Sequence, residues 1–125
     1  MDLNNTIILC VDDEELPLTL RKRVLESQGY QVIAACSAAD AMRTLNDRTV
    51  DLVLTDQLMP DGTGTELTRS IKKKWPDLPV ILISGISEIP ADAKYADLFI
   101  SKIEGPAVLF AKISAILSAR RCSLG

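Results

Sequence analysis

The chain has 125 residues, of which 47% are hydrophobic and 25% charged, which is enough apolar material for the core of one domain. The formal net charge of −3 gives no strong positive field, so we expect no direct binding of nucleic acid by this chain. The complete absence of histidine excludes serine–histidine and cysteine–histidine catalysis, as well as metal sites built on imidazole.

Five strands are predicted along the chain, and helix signals fall between them. Each strand is a short run of β-branched and aliphatic residues, which is typical of parallel strands with both faces buried. The predicted strands are Thr6–Val11, Tyr30–Ala35, Asp51–Thr55, Val80–Ile83 and Leu98–Ser101. This alternation predicts a doubly wound α/β fold: a five-stranded parallel sheet in the order 2-1-3-4-5 with helices on both faces.

The first helix is predicted from about Leu16 to Gln28, where Gly29 stops it. Its apolar stripe is Leu16, Leu20 and Val24. The later helices begin after the N-cap Ser37, at about Gly64 and at Pro106, and the last two end near Lys74 and Ser118. Their inward residues are predicted to be Ala38, Ala41, Met42, Leu45, Leu67, Ile71, Leu109, Ile113 and Ile116.

Two other features concern the surface of the helical layer. The segment 87–96 can form only a short fourth helix, at about Ala91–Tyr95, because Pro90 and small residues interrupt its periodicity. The basic runs Arg21-Lys22-Arg23 and Lys72-Lys73-Lys74 are interpreted as solvated helix faces.

Charged residues follow three of the predicted strands. Asp12 and Asp13 come after the first, Asp56 after the third and Lys102 after the fifth. Because the carboxyl ends of parallel strands meet at one edge of a sheet, these side chains are expected to lie together. Crowded carboxylates repel unless a cation lies among them, and Mg²⁺ held by two carboxylates and several waters fits that need. A carboxylate beside such an ion can act as a nucleophile toward phosphorus.

At these residues the sequence resembles the receiver domains of two-component response regulators. The matching segments cover nearly the whole chain in the same order; they are Val11-Asp12-Asp13-Glu14, Asp51-Leu52-Val53-Leu54-Thr55-Asp56, Met59-Pro60-Asp61-Gly62, Pro79-Val80-Ile81-Leu82-Ile83-Ser84-Gly85 and Lys102. The resemblance implies a flavodoxin-like fold with one domain over residues 1–125, a core of about 5–118 and a short C-terminal tail. It also implies a phosphorelay switch that changes partner binding, rather than a turnover enzyme.

The resemblance implies a role for each acidic residue. Asp56 would be the phosphoacceptor, in a Mg²⁺-dependent reaction. Asp13 would bind the ion directly, Asp12 partly through water, and the backbone carbonyl of Leu58 would complete the protein ligands. Since the chain has no histidine, the phosphoryl donor would be the phosphohistidine of another protein or a small phosphodonor. The resemblance implies a sensor histidine kinase or histidine phosphotransfer protein as the partner, with an unknown effector downstream.

Three further residues receive roles in the same way. Lys102 would pair with Asp56 at rest and with a phosphoryl oxygen afterwards. Ser84 would donate its hydroxyl to the phosphoryl group, and Phe99 takes the position of an aromatic switch residue.

The sequence departs from the family pattern near its C-terminal third. The stretch from Ser84 to Lys102 is short by about one helical turn, so the fourth helix is expected to be truncated. Ile103 follows Lys102 where the family usually has a proline in a cis bond. A cis bond before a residue other than proline costs ~2.5–4 kcal/mol, so the trans form is expected here.

The alternative function is a pseudo-receiver, in which the same fold serves as a docking module without phosphorylation. A dehalogenase-type Mg²⁺ phosphatase also uses an aspartyl nucleophile, but it normally needs a second aspartate where this chain has Leu58. A flavin-binding protein of the same topology is disfavoured because Asp12-Asp13-Glu14-Glu15 would repel a phosphate after the first strand.

The remaining expectations concern location and redox state. No apolar stretch is long enough to span a bilayer and the N-terminus has no signal-peptide pattern, so a cytoplasmic protein without membrane contact is expected. The cysteines Cys10, Cys36 and Cys122 form no CxxC pattern and are expected to be reduced thiols.

Overall fold

The computed structural model describes residues 6–59, 62–84, 98–101 and 105–124. Its strands are β1 (Ile7–Val11), β2 (Gln31–Ala35), β3 (Leu52–Asp56), β4 (Leu58–Met59), β5 (Gly62–Thr63), β6 (Val80–Ser84) and β7 (Leu98–Ser101). Its helices are α1 (Glu15–Ser27), α2 (Ala38–Asp47), α3 (Gly64–Lys74) and α4 (Pro106–Leu124).

The five longer strands form one parallel sheet in the order β2-β1-β3-β6-β7. This confirms the predicted fold class and strand order. β4 and β5 form a separate antiparallel pair that the sequence did not reveal. Strands of two residues are too short to show a periodic pattern in the sequence.

Helices pack on both faces of the sheet and create two separate cores. On β1, Ile8 and Cys10 lie in the core shared with α1 and α4, while Leu9 and Val11 lie in the core shared with α2 and α3. Because both faces of the inner strands are covered, their sequences are continuously apolar rather than alternating. The inward residues predicted for α2, α3 and α4 all lie in these cores, fully or partly buried.

The predicted apolar stripe of α1 is wrong. Leu16 is 69% exposed and Leu20 is 53% exposed, whereas Leu18 and Leu25 are buried against the sheet. Seven residues span about two helical turns, so these two leucines share one face, and Arg21, three residues after Leu18, lies on that same face. Arg21 is therefore turned inward, and the interpretation of its basic run as a solvated face fails at this residue.

The ends of the other helices follow the sequence closely, with one exception. Ser37 accepts a hydrogen bond from the N–H of Asp40 at the start of α2, and Thr63 forms a capping box with Glu66 at the start of α3. The exception is α4, which continues to Leu124 instead of ending near Ser118, so the expected C-terminal tail is largely helical.

Several expectations lie outside the described residues: the short fourth helix, Lys102 and the form of its peptide bond to Ile103. Within the described part of the chain, none of the helices combines the length and the apolar character needed to cross a membrane.

The two cysteines whose side chains the structure describes differ in their surroundings. Cys10 is buried in β1, and burial raises the pKa of its thiol to about 11, whereas Cys36 is exposed. Because the thiolate is the reactive form, iodoacetamide at neutral pH should modify Cys36 in the native protein and spare Cys10. Peptide mapping by mass spectrometry measures the extent at each site. In urea both should react, and equal modification of the two in the native protein would contradict this expectation.

Candidate metal centre

The pairing of β1 with β3 brings two aspartates side by side at the carboxyl edge of the sheet. Val11 is paired with Thr55, so Asp12 and Asp56 are the next residues on adjacent strands. Carboxylate oxygens of Asp12, Asp13 and Asp56 all lie within 4.8 Å of one another. The structure thus brings together the three acidic residues that the sequence placed at this edge.

The three carboxylates differ in burial. Asp56 is 3% exposed and the Asp12 side chain is fully buried, whereas Asp13 is exposed. Burial of charged carboxylates is unfavourable unless hydrogen bonds or opposite charges compensate for the lost water. The cluster therefore has two inner carboxylates that need protein partners and one outer carboxylate that solvent reaches.

The Asp12 carboxylate has a partner on each oxygen. Its Oδ1 accepts a hydrogen bond from the backbone N–H of Glu14 at 3.0 Å, just before α1 begins. Its Oδ2 lies 3.2 Å from Nη1 of Arg21, in an ion pair that is largely shielded from water. The sequence did not reveal this arginine as part of the site. The available signal was the spacing of Leu18, Arg21 and Leu25, which are three and four residues apart and therefore share one face of a helix.

Hydrogen bonds to β6 and α3 hold the chain that follows Asp56. The N–H of Gln57 donates to the carbonyl of Ile83, and the N–H of Gly64 donates to the carbonyl of Gln57. The side-chain Oε1 of Gln57 also accepts hydrogen bonds from the backbone N–H and the hydroxyl of Thr65, at 3.0 and 2.9 Å. These contacts fix the end of β3 and hence the position of the Asp56 backbone.

Gly64 lies against the backbone of Asp56. A methyl group at this position would collide with the carbonyl of Asp56 and would lie 2.8 Å from Cδ1 of Leu82. Among the described residues the glycine with positive φ is Gly29, so backbone conformation does not explain the glycine at position 64. Gly64 instead permits a close approach between the first turn of α3 and β3.

The remaining predicted site residues are placed only through the backbone. Ser84 ends β6, one residue after Ile83, which pairs with Asp56. Phe99 lies on the adjacent strand β7 and pairs with Leu82 of β6. Leu58 begins β4, two residues after Asp56. The side chains of these three residues, and the whole of Lys102, lie outside the described residues.

The acidic cluster has the donor chemistry that Mg²⁺ prefers. Mg²⁺ is a hard cation that binds oxygen, commonly through one or two carboxylates and several waters. Three carboxylates from three residues, one of them open to solvent, meet that requirement. The described cluster contains no thiolate or imidazole that would favour a softer metal.

Comparison with known proteins agrees with the resemblance seen in the sequence. The family described as the response regulator receiver domain matches residues 8–114. The sensor kinase CckA of Brucella abortus is 35% identical over 73% of this chain, which spans only 10% of the kinase. The chain spans 17% to 55% of the length of several transcriptional and response regulators among its curated relatives.

Two solved structures show the same fold over nearly the whole chain. A CheY-like receiver domain protein from Methanospirillum hungatei JF-1 has a TM-score of 0.88 and 29% identity, covering 94% of this chain and 98% of that one. The response regulator TrrA from Thermotoga maritima, solved in complex with Mg²⁺-BeF, has a TM-score of 0.85 and 29% identity, covering 89% of this chain and 98% of that one.

The contact between Gly64 and Asp56 predicts a large effect of a small substitution. Gly64→Ala should lower the free energy of unfolding by about 1–3 kcal/mol, because the added methyl group meets backbone that cannot move aside easily. Gly105→Ala is the matched control, since a methyl group there would meet no atom within 4 Å. Urea unfolding measures both. Equal stability of the two variants would show that the end of β3 can shift without cost.

Proposed function

Because the chain belongs to the response regulator receiver domains of two-component systems, we propose that it accepts a phosphoryl group on Asp56 from the phosphohistidine of a partner protein. The observation that carries this proposal is the cluster of Asp12, Asp13 and Asp56 at the carboxyl edge of the sheet. Receiver domains are signalling modules, and phosphorylation of this one would change which partners it binds.

We propose that the same cluster holds Mg²⁺. Asp13 would be a direct ligand because its carboxylate is exposed, and Asp56 would be the second carboxylate. Asp12, whose oxygens already have protein partners, would act partly through water. The backbone carbonyl of Leu58 would be a further ligand. The neighbour TrrA was solved with Mg²⁺ and BeF, which supports the same ion here.

The proposed reaction transfers the phosphoryl group in one displacement. An oxygen of the Asp56 carboxylate forms a bond to phosphorus while the phosphorus–nitrogen bond of the donor breaks. The electron pair of that bond passes to the imidazole nitrogen, and the product on this chain is an aspartyl phosphate. When bound, Mg²⁺ would neutralise charge on the phosphoryl oxygens, which is the main demand of such a transfer.

The rigid surroundings of Asp56 favour this role. The hydrogen bonds of Gln57 and the contact with Gly64 hold the backbone beneath the carboxylate, so little motion is needed to reach the reactive geometry. The burial of Asp56 also limits the contact of water with its carboxylate to the side from which the phosphoryl group would approach. We propose that Lys102 and Ser84 bind phosphoryl oxygens and that Phe99 responds to them. The place of Ser84 and Phe99 on β6 and β7 supports this.

Receiver domains of response regulators interact with sensor kinases, and the relatives of this chain include a sensor kinase and regulators with further domains. We propose a sensor histidine kinase or a histidine phosphotransfer protein as the donor. The alternative, a docking module that is never phosphorylated, makes the opposite prediction for phosphoryl transfer.

Acetyl phosphate with Mg²⁺ should add one phosphoryl group to the native chain, and Asp56→Asn should abolish the addition. The reason is that the amide that replaces the carboxylate cannot act as the nucleophile. Asp47→Asn is the control: Asp47 is an exposed aspartate at the end of α2, and its substitution should leave the phosphoryl addition unchanged. Intact-protein mass spectrometry measures the gain. Full phosphorylation of Asp56→Asn would refute the assignment, and no gain in the native chain would favour the docking module.

The metal site predicts a second effect. Asp13→Ala should weaken Mg²⁺ binding by more than the roughly tenfold to hundredfold that outer-shell changes cost, because it removes a direct ligand. It should also stabilise the metal-free fold by relieving repulsion among the carboxylates. Glu15→Ala removes the same charge from the exposed first turn of α1 and is the control. Calorimetric titration measures Mg²⁺ binding by both variants. Equal affinity of Asp13→Ala and Glu15→Ala for Mg²⁺ would refute Asp13 as a direct ligand.

A further inference from the structure

The ion pair between Arg21 and Asp12 has no part in the proposed transfer, yet it lies against the proposed metal site. The guanidinium Nη1 is 3.2 Å from Oδ2 of Asp12, and the two side chains are 13% and 0% exposed. Arg21 reaches the site from the sheet-facing side of α1. It is thus a positive charge that the fold itself places against one of the three clustered carboxylates.

The charged partner of Arg21 in this contact is Asp12 and not the neighbouring thiol. Cys10 lies in the core below the site, and burial raises the pKa of Cys10 to about 11 although the Arg21 charge acts in the opposite direction. The thiol is therefore neutral at neutral pH. The positive charge of Arg21 offsets the buried carboxylate of Asp12.

An ion pair in this position has two physical consequences. Without Arg21, the buried carboxylate of Asp12 would lack its opposite charge beside Asp56, which is costly in a low-dielectric environment. With Arg21 in place, a divalent cation that enters the cluster meets a positive charge already held there. The first effect stabilises the metal-free protein, and the second opposes Mg²⁺ binding.

We propose that Arg21 is a resident counter-ion that stabilises the metal-free site and lowers its affinity for Mg²⁺. It acts as a fixed positive charge beside Asp12 and sets the Mg²⁺ concentration at which the site fills. The inference rests on the proposed function in assuming that Asp12, Asp13 and Asp56 hold the ion.

A purely structural role for Arg21 makes the opposite prediction. If the guanidinium only packed Asp12 into the correct orientation, its removal would disorder a metal ligand and weaken Mg²⁺ binding. If it competes with the ion, removal of its charge strengthens binding. The direction of the change therefore separates the two roles.

The test is a calorimetric titration of the full chain with Mg²⁺. Arg21→Gln, which keeps a hydrogen-bond donor without the charge, should bind Mg²⁺ at least about tenfold more tightly, because removal of a unit charge near a divalent ion has that effect even in a water-like dielectric. Arg21→Lys keeps the charge and should bind like the native chain. Arg23→Gln removes an exposed charge two residues further along α1 and should change the affinity by less than about twofold, because water and salt screen it.

Thermal unfolding supplies the second measurement. Arg21→Gln should be less stable than the native chain in EDTA, and saturating Mg²⁺ should narrow the difference. If Arg21→Gln does not fold, the substitution is made together with Asp12→Asn. The double variant has removed both charges of the ion pair, so neither is left buried without its partner. It should still tighten Mg²⁺ binding relative to Asp12→Asn alone.

The possible failures are distinguishable. Unchanged or weaker Mg²⁺ binding in folded Arg21→Gln, with normal binding by the native chain, would overturn this inference and leave the proposed function intact. Absence of Mg²⁺ binding by the native chain would overturn the metal site itself and this inference with it.

Discussion

The pairing of β1 with β3 places two buried carboxylates next to each other, and the surrounding structure compensates for the unfavourable burial of their charges. Asp12 and Asp56 follow the paired residues Val11 and Thr55, so parallel register alone brings them together. Neither can be hydrated on its buried side. The backbone N–H of Glu14 and the guanidinium of Arg21 compensate at Asp12, and each comes from the segment that starts or continues α1. The position of that helix is thus coupled to the charge of the site.

The other side of the site depends on close packing rather than on charge. Gly64 allows the first turn of α3 to lie directly against the Asp56 backbone, and Gln57 fastens the following chain to Thr65. These contacts limit the movement of the backbone that carries the Asp56 carboxylate. One helix therefore supplies charge compensation and the other supplies rigidity, from opposite faces of the sheet.

Much of this arrangement could be predicted from the sequence because buried parallel strands have a strong local signature. The five strands follow from continuous apolar runs, and their order follows from the alternation of strands and helices. The meeting of Asp12, Asp13 and Asp56 follows from the acidic residues at the ends of the first and third runs. The orientation of α1 could not be predicted in the same way. Leu16 and Leu20 lie on one face of the helix and Leu18 and Leu25 on the opposite face, so local periodicity does not decide which face is buried. The partner that turns Arg21 inward belongs to another element, and such a contact is visible only in three dimensions. The full length of α4 was also missed, since residues 119–124 show no apolar periodicity in the sequence although they are helical.

The separation of Asp12 and Asp56 along the chain also matters while the protein is being synthesised. The two carboxylates meet only after α1, β2 and α2 have been made and β3 has paired with β1. Parallel pairing across such crossovers is a non-local step, so it comes late compared with the formation of individual helices. An incomplete chain on the ribosome that has not yet exposed β3 cannot assemble the acidic cluster, and it presents the exposed edge of β1 to solvent instead. The acidic cluster therefore assembles only when β1 and β3 are joined in the sheet, after the whole intervening stretch of chain has been made.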